Sequence, residues 1–272
     1  MTQRPATQHR PRILALANQK GGVGKTTTAI NLGTALAAIN ERVLIVDLDP
    51  QGNASTGLGV EHKNRRRSTY DVLVGDAKLA EVIQETAIPR LFIAPSTMDL
   101  SGLELELASE RERNYRLRNA LLTLAGSDQA DGFGYVLVDC PPSLNLLTIN
   151  AMAAADSILV PLQCEFFALE GLSQLLKTVE QVKTTLNPNL SIHGIVLTMY
   201  DARNNLSDQV VADVKQFMGD KVYQTIIPRN VRVSEAPSYG KPVLLYDFKC
   251  TGSQAYLRLA SEVVKRERGI AA

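Results

Sequence analysis

The sequence predicts an α/β fold: a single-domain, doubly wound, mostly parallel sheet with helices on both faces. Three observations carry this. Strand-sized runs are apolar without a break, helical patterns separate them, and acids or glycines stand where several of those runs end. The apolar runs occupy residues 13–17, 43–46, 91–94, 135–138, 157–160, 192–198 and 222–227. Parallel strands covered on both faces look continuous rather than alternating, as these do.

Helical patterns fill the intervals. Ala29, Leu32, Leu36 and Ala37 stand at helical spacing within 26–39. Leu117, Leu121 and Leu124 line one face of a long charged helix predicted to begin near Leu103. Further helices are predicted over about 169–186, 208–218 and 253–266. Strand and helix alternate throughout, which calls for crossover connections and a parallel sheet. Residues 1–11, polar and carrying Arg4, Arg10 and two prolines, are predicted to be a flexible basic tail. With no repeat and no Ser/Gly linker, 12–268 is predicted to be one domain.

Composition removes several classes of function. The 272 residues are 45% hydrophobic, enough for one substantial core. Lys+Arg number 29 against Asp+Glu 28, a formal charge of +1, so nucleic-acid binding has to rest on local clusters. No Trp and 5% aromatics leave little for a base-stacking platform. Cys140, Cys164 and Cys250 are widely spaced, which indicates neither a disulfide framework nor a zinc site but reduced residues of a cytosolic protein. No apolar stretch has the length of a membrane span or a secretory signal, so the expected compartment is the cytoplasm.

After the first predicted strand the chain reads Gln19-Lys20-Gly21-Gly22-Val23-Gly24-Lys25-Thr26-Thr27. Glycines let successive N–H groups turn inward toward phosphate oxygens. A helix starting near Lys25 aims its positive end at the same place. Lys25 is placed to reach the β/γ-phosphates of a nucleoside triphosphate, and the Thr26 hydroxyl to ligate Mg²⁺. Gln19 occupies the position where such loops usually begin with Gly, and Lys20 follows it. A second lysine is more positive charge than one nucleotide requires. It serves either its own subunit or another.

Two acids complete the predicted site. Run 43–46 ends in Asp47-Leu48-Asp49, and run 135–138 ends in Asp139. Ligands of open α/β sheets bind at this carboxyl edge. Asp139 suits a Mg²⁺-water ligand, since Mg²⁺ keeps several waters, and Asp49 suits the residue that orients an attacking water.

Lys20 to Thr27 is the deviant Walker A motif of P-loop NTPases, and Asp47-Leu48-Asp49-Pro50-Gln51-Gly52-Asn53 looks like its companion. Val138-Asp139-Cys140-Pro141-Pro142-Ser143-Leu144, the stretch 163–171 and the stretch 227–238 resemble the ParA/Soj partitioning ATPases rather than the wider group that includes MinD and the nitrogenase iron protein. The resemblance covers about 12–266. It implies ATP with Mg²⁺ as cofactors and an ATP-dependent homodimer in which Lys20 crosses to the other subunit's phosphates. The dimer is then expected to bind double-stranded DNA without sequence preference and to be nucleoid-associated. A ParB-type centromere-binding protein is expected to stimulate hydrolysis and release it. The resemblance also places Asp139 in the metal's outer shell, Asp47 as an organiser of that shell, and Pro228 with Asn230 where the adenine pocket forms. Arg203 and Arg232 match positions that resemble the family's DNA-contacting arginines.

Other basic runs, Lys63 with Arg65, Arg66 and Arg67, and Lys265, Arg266 and Arg268, read first as solvated faces. Arg111, Arg113, Arg116 and Arg118 interleave with Glu104, Glu106, Glu110 and Glu112, which suggests helical ion pairs. Three rival functions share the fold. A MinD-like positioning ATPase acting on a membrane or protein cargo would need a C-terminal helix with a bulky apolar face, which 263–272 lacks. An iron–sulfur ATPase would need converging thiolates. An ATP-dependent biosynthetic ligase would need a substrate pocket that the sequence does not advertise.

Overall fold

The computed structural model describes residues 10–125 and 132–269. In chain order its elements are β1 (Arg12–Leu16), α1 (Lys25–Ala38), β2 (Val43–Asp47), α2 (Asn53–Gly57), α3 (Thr69–Val74), α4 (Leu79–Val82), β3 (Gln84–Glu85), β4 (Leu91–Ala94), α5 (Leu103–Glu106) and α6 (Arg116–Ala125). Then come β5 (Tyr135–Asp139), α7 (Leu146–Ala154), β6 (Ser157–Gln163), α8 (Ala168–Thr185), β7 (Ser191–Thr198), α9 (Asn205–Met218), α10 (Val231–Glu235), α11 (Val243–Tyr246) and α12 (Thr251–Glu267). The seven strands form one sheet in the order β3-β4-β2-β5-β1-β6-β7. All pairings are parallel except β3 with β4.

Alternate residues of each strand feed two cores, one on each face. Ile13, Ala15, Val136 and Val138 pack with α6 to α9, while Leu14, Leu16 and Leu137 pack with α1 and α12. This is why the strands are apolar without a break: neither face meets water. Helix α1 lies close on the sheet because residue 33 is glycine; a Cβ there would come within 3.0 Å of Ile45 Cδ1.

Three expectations are corrected. Residues 222–227 form no strand, only a single bridge from Val222 to Ile195. The Glu262 carboxylate on α12 accepts the Gln224 and Thr225 N–H groups at 2.8 and 3.0 Å, so those donors go to a side chain instead of a ladder. The long helix expected from Leu103 is broken into α5 and α6. Buried Asn150 of α7 starts the second piece: its Oδ1 accepts the Leu117 N–H at 3.1 Å and its Nδ2 donates to the Arg113 carbonyl at 2.8 Å. The expected ion pairs along one helix are interrupted with it: Arg116, the first residue of α6, pairs at 3.2 Å with Glu110 in the preceding connection. Edge strand β3 was not predicted at all; two polar residues carry no periodicity. Of the expected basic tail, residues 1–9 lie outside the described residues, and Arg10 pairs with Asp156 at 3.4 Å.

Candidate active site

Because β1, β2, β5, β6 and β7 run parallel, the segments that follow them meet at one edge of the sheet. The loop after β1 is turned by Gly22 (φ +74°) and Gly24 (φ +89°), a region where a side chain would be strained. Gly24 opens α1, whose first turn carries no acid, so the helix's positive end faces the loop uncompensated. Asn18 donates to the Pro161 carbonyl (2.8 Å) and the Thr198 hydroxyl to the Val23 carbonyl (2.9 Å), tying the loop to β6 and β7. Around it lies a cavity of about 460 Å³ lined by Gly21, Gly22, Gly24, Lys25, Thr26, Thr27, Asp49, Thr56, Met199 and Pro237, among others. A larger cavity of about 730 Å³, between α3, α4 and α6, holds none of the predicted site residues.

The two loop lysines are treated differently. Lys25 is buried, its Nζ donating to the Lys20 carbonyl at 3.1 Å. Burial lowers its pKa, and the charges of Asp139 and Asp49 oppose that. Lys20 is 40% exposed at its side chain and pairs with Glu165, just beyond β6, at 2.6 Å.

The two strand-ending acids also differ, although Asp47 and Asp139 are direct partners across β2 and β5. Asp47 is fully satisfied: Oδ2 accepts from the Ser55 N–H (2.9 Å) and hydroxyl (2.7 Å), and Oδ1 from the Asp49 N–H (3.1 Å). Burial pushes its pKa up to about 6 despite those bonds. Asp139 is fully buried, and neither of its carboxylate oxygens has a hydrogen-bond partner. Burial raises its pKa well above the ordinary carboxylate value and Asp47 adds to this; nearby Thr26 opposes the shift without completing a hydrogen bond of ordinary geometry, and Lys25 opposes it by charge.

A buried acid with unspent oxygens beside a hydroxyl and a lysine fits a hard cation, because oxygen donors select Mg²⁺ over softer metals. Among the described residues no three His, Cys, Asp or Glu side chains converge as a metal cage. Mg²⁺ takes few protein ligands and completes its shell with phosphates and waters, so one hydroxyl and one carboxylate are enough from the chain. It follows that Asp139→Asn should stabilise the nucleotide-free, metal-free protein at neutral pH, raising Tm by about 2–6 °C. A carboxyl whose folded pKa is raised loses stability as pH climbs above its unfolded value, so the advantage of the amide should grow from about pH 4 upward. Thermal melts in EDTA across pH check both the size and the sign.

Asp49 is buried at the cavity wall, with Oδ1 accepting the Gln51 N–H at 3.0 Å. Pro228 and Asn230 do not line this cavity. Asn230 caps α10, accepting from the Arg232 N–H at 2.9 Å, and Pro228 lines a neighbouring hollow of about 370 Å³ together with Arg203. Arg203 is gripped by Asp201 through two bonds of 2.9 and 2.8 Å, and Arg232 pairs with Glu235 at 3.0 Å and Asp247 at 3.6 Å. Of the other basic run, Lys63 pairs with Glu61 and Arg67 with Glu81, whereas Arg65 is 5% exposed and turns inward. Sequence reasoning did not single out the roles of Glu165, Ser55 or Ser96, and it read Arg65 as part of a solvated face, which its burial corrects. No spacing marks them, since each reaches the site through tertiary contacts.

A glycine loop between a central parallel strand and a helix, with two lysines and two strand-ending acids at one sheet edge, defines a P-loop ATPase of the deviant Walker A class. A family model described as an AAA domain matches residues 11–192. The chain is 64% identical over 258 residues to the chromosome partitioning protein ParA of Caulobacter vibrioides (strain NA1000 / CB15N), covering 94% of this chain and 95% of that one. It is 53% identical to the sporulation initiation inhibitor protein Soj of Bacillus subtilis (strain 168), over 93% and 98% of the two chains. Among solved structures, cobyrinic acid a,c-diamide synthase from Mycobacterium smegmatis with bound ATP analog and magnesium superposes with a TM-score of 0.82 at 37% identity, over 95% and 96% of the chains. The cell division ATPase MinD of Pyrococcus furiosus superposes with a TM-score of 0.74 at 27% identity, over 93% and 98%. The chain belongs to the ParA/Soj family of chromosome-partitioning ATPases.

Proposed function

We propose that this chain is an ATP-dependent DNA-partitioning switch. ATP with Mg²⁺ binds the phosphate loop, two ATP-bound subunits pair face to face, and the pair binds DNA without sequence preference. A ParB-type partner stimulates hydrolysis and releases the pair. The observation that carries this reading is the division of labour between the lysines. Lys25 is buried among the groups of its own loop, whereas the Lys20 side chain is 40% exposed and held by the half-exposed Glu165. Thr26 would hold Mg²⁺ directly and Asp139 would hold its waters, while Asp47 fixes the turn that carries Asp49. The cation supplies charge neutralisation at the phosphates. Asp49 orients the attacking water, and the N-terminal end of α1 with Lys25 offsets the charge that develops on the γ-phosphate.

Arg203 and Arg232 would face DNA phosphates. Their acid partners do not preclude this, since ion pairs fully exposed to water are weak, screened by salt and readily exchanged. Binding to non-specific duplex, measured with ATP, ADP or no nucleotide, should appear with ATP and weaken with salt at a log–log slope of about −0.9 per phosphate neutralised. Binding that ignores the nucleotide would sink the switch. Arg232→Glu should remove DNA binding by at least tenfold, a charge reversal costing roughly the two phosphate contacts' worth of salt-dependent affinity. ATP-driven dimerisation of that variant, followed by sedimentation, should remain at the parent level.

Two of the three rivals fare less well. The apolar face of α12, including Leu259, Ala260 and Val263, is spent on the core instead of being free for a membrane surface. Cys140 and Cys164 are buried in the subunit's own core, which leaves neither at a surface where a second subunit's thiolates could converge with it.

A further inference from the structure

Arg65 is a buried cation with no carboxylate in ion-pair contact among the described residues, which is costly unless its N–H groups are satisfied. They are satisfied by one narrow set of acceptors. Nε and Nη2 donate to the Val60 carbonyl at 3.1 and 2.8 Å, Nη1 to the Ser96 carbonyl at 3.2 Å, and Nη2 to the Thr56 hydroxyl at 2.7 Å. The guanidinium lies against the backbone of Gly52, whose φ is +61°; a Cβ at that position would collide with Nη1. Gly52 and Thr56 belong to the turn and short helix that follow Asp49, and the Thr56 hydroxyl in turn donates to the Gly52 carbonyl at 3.0 Å. Ser96, on the other side of the guanidinium, donates its hydroxyl to the Asp49 carbonyl and its N–H to Ser55 Oγ at 3.1 Å. Ser55 holds Asp47. The bonds therefore form one buried network running from Arg65 through Ser96 and Thr56 to both ends of the Asp49 turn.

We propose that Arg65, acting through Ser96, Thr56 and Gly52, is a positioning residue that sets the Asp49 carboxylate at the height and angle needed to orient the attacking water. This rests on the reading of Asp49 as the water-orienting group. Arg65 does not itself line the nucleotide cavity and meets it only behind the wall, through the Thr56 hydroxyl, so its effect is expected on turnover far more than on nucleotide affinity. A planar fork that grips three acceptors at once is what Lys cannot reproduce.

The test compares the parent with Arg65→Gln, Arg65→Lys, Ser96→Ala and Asp49→Ala. It measures phosphate release in the presence of non-specific duplex, affinity for a fluorescent ATP analogue, and the lifetime of the ATP-bound complex on DNA. Arg65→Gln should lower kcat about tenfold or more, because a displacement of ~1 Å at a reacting group costs up to about a hundredfold. ATP affinity should stay within about twofold and the DNA-bound complex should live correspondingly longer. Arg65→Lys should restore only part of kcat, and Ser96→Ala, the gentler change, should lower kcat with affinity intact even if Arg65→Gln fails to fold. Parent turnover in Arg65→Gln and Ser96→Ala alongside an inactive Asp49→Ala overturns the positioning role and leaves the switch standing. Parent turnover in Asp49→Ala overturns both. Equal losses of kcat and affinity in Arg65→Gln and Ser96→Ala, with a shortened life on DNA, would reduce Arg65 to a structural strut.

Discussion

Lys20→Ala is expected to abolish ATP-driven pairing of two subunits while leaving ATP binding within about fivefold of the parent. The argument is geometric. Lys25, buried and donating into the loop, remains to meet the phosphates of its own subunit together with the loop's amides. Lys20 contributes within the subunit only a half-exposed ion pair to Glu165, and such a pair is worth about 0.2–1 kcal/mol, at most roughly a fivefold effect. Between two apposed subunits the same ammonium would lie against a triphosphate in a site closed to water, where a charge-assisted bond is far stronger. Sedimentation with a non-hydrolysable ATP analogue and Mg²⁺ measures the pairing, and titration of a fluorescent ATP measures the affinity. A variant that pairs normally but has lost ATP affinity would mean that Lys20 serves its own subunit.

The second large effect falls on Asp49. Asp49→Ala should lower hydrolysis about a hundredfold or more, the range lost when a group that manages the attacking water is removed. The variant should still bind ATP, pair and hold DNA, since among the described residues Asp49 makes no ion pair at the cavity wall and its side chain accepts one hydrogen bond, from the Gln51 N–H. The expected phenotype is a complex that loads on DNA with ATP and does not leave. Phosphate release and dissociation from immobilised duplex should fall together; release at the parent rate would move the water-orienting role to another group.

Much of this protein was legible in its sequence, and each legible part has a local cause. The continuous apolar runs stated that both sheet faces are covered, and six of the seven expected strands stand where those runs are. The loop glycines run straight into Lys25 and Thr26 at the start of α1, and each acid directly ends its own apolar run, because backbone turns, helix termini and strand ends are local structures. Where the reading failed, a distant side chain had intervened: Glu262 took the Gln224 and Thr225 donors that a strand over 222–227 needed for a ladder, and Asn150 started α6 within what had been expected as one long helix from Leu103.

Sequence alone determined the phosphate loop, the parallel sheet that presents it and the family to which the chain belongs. Only the tertiary structure decided how equivalent residues divide their work. Asp47 and Asp139 end neighbouring strands in matched register, yet Ser55 spends the first and nothing spends the second. Arg65 and Arg67 belong to one basic run, yet one is buried behind the Asp49 turn and the other pairs at the surface. The reason is that hydrogen-bond satisfaction and desolvation depend on which groups the fold brings within about 3 Å, and that distance is blind to separation along the chain.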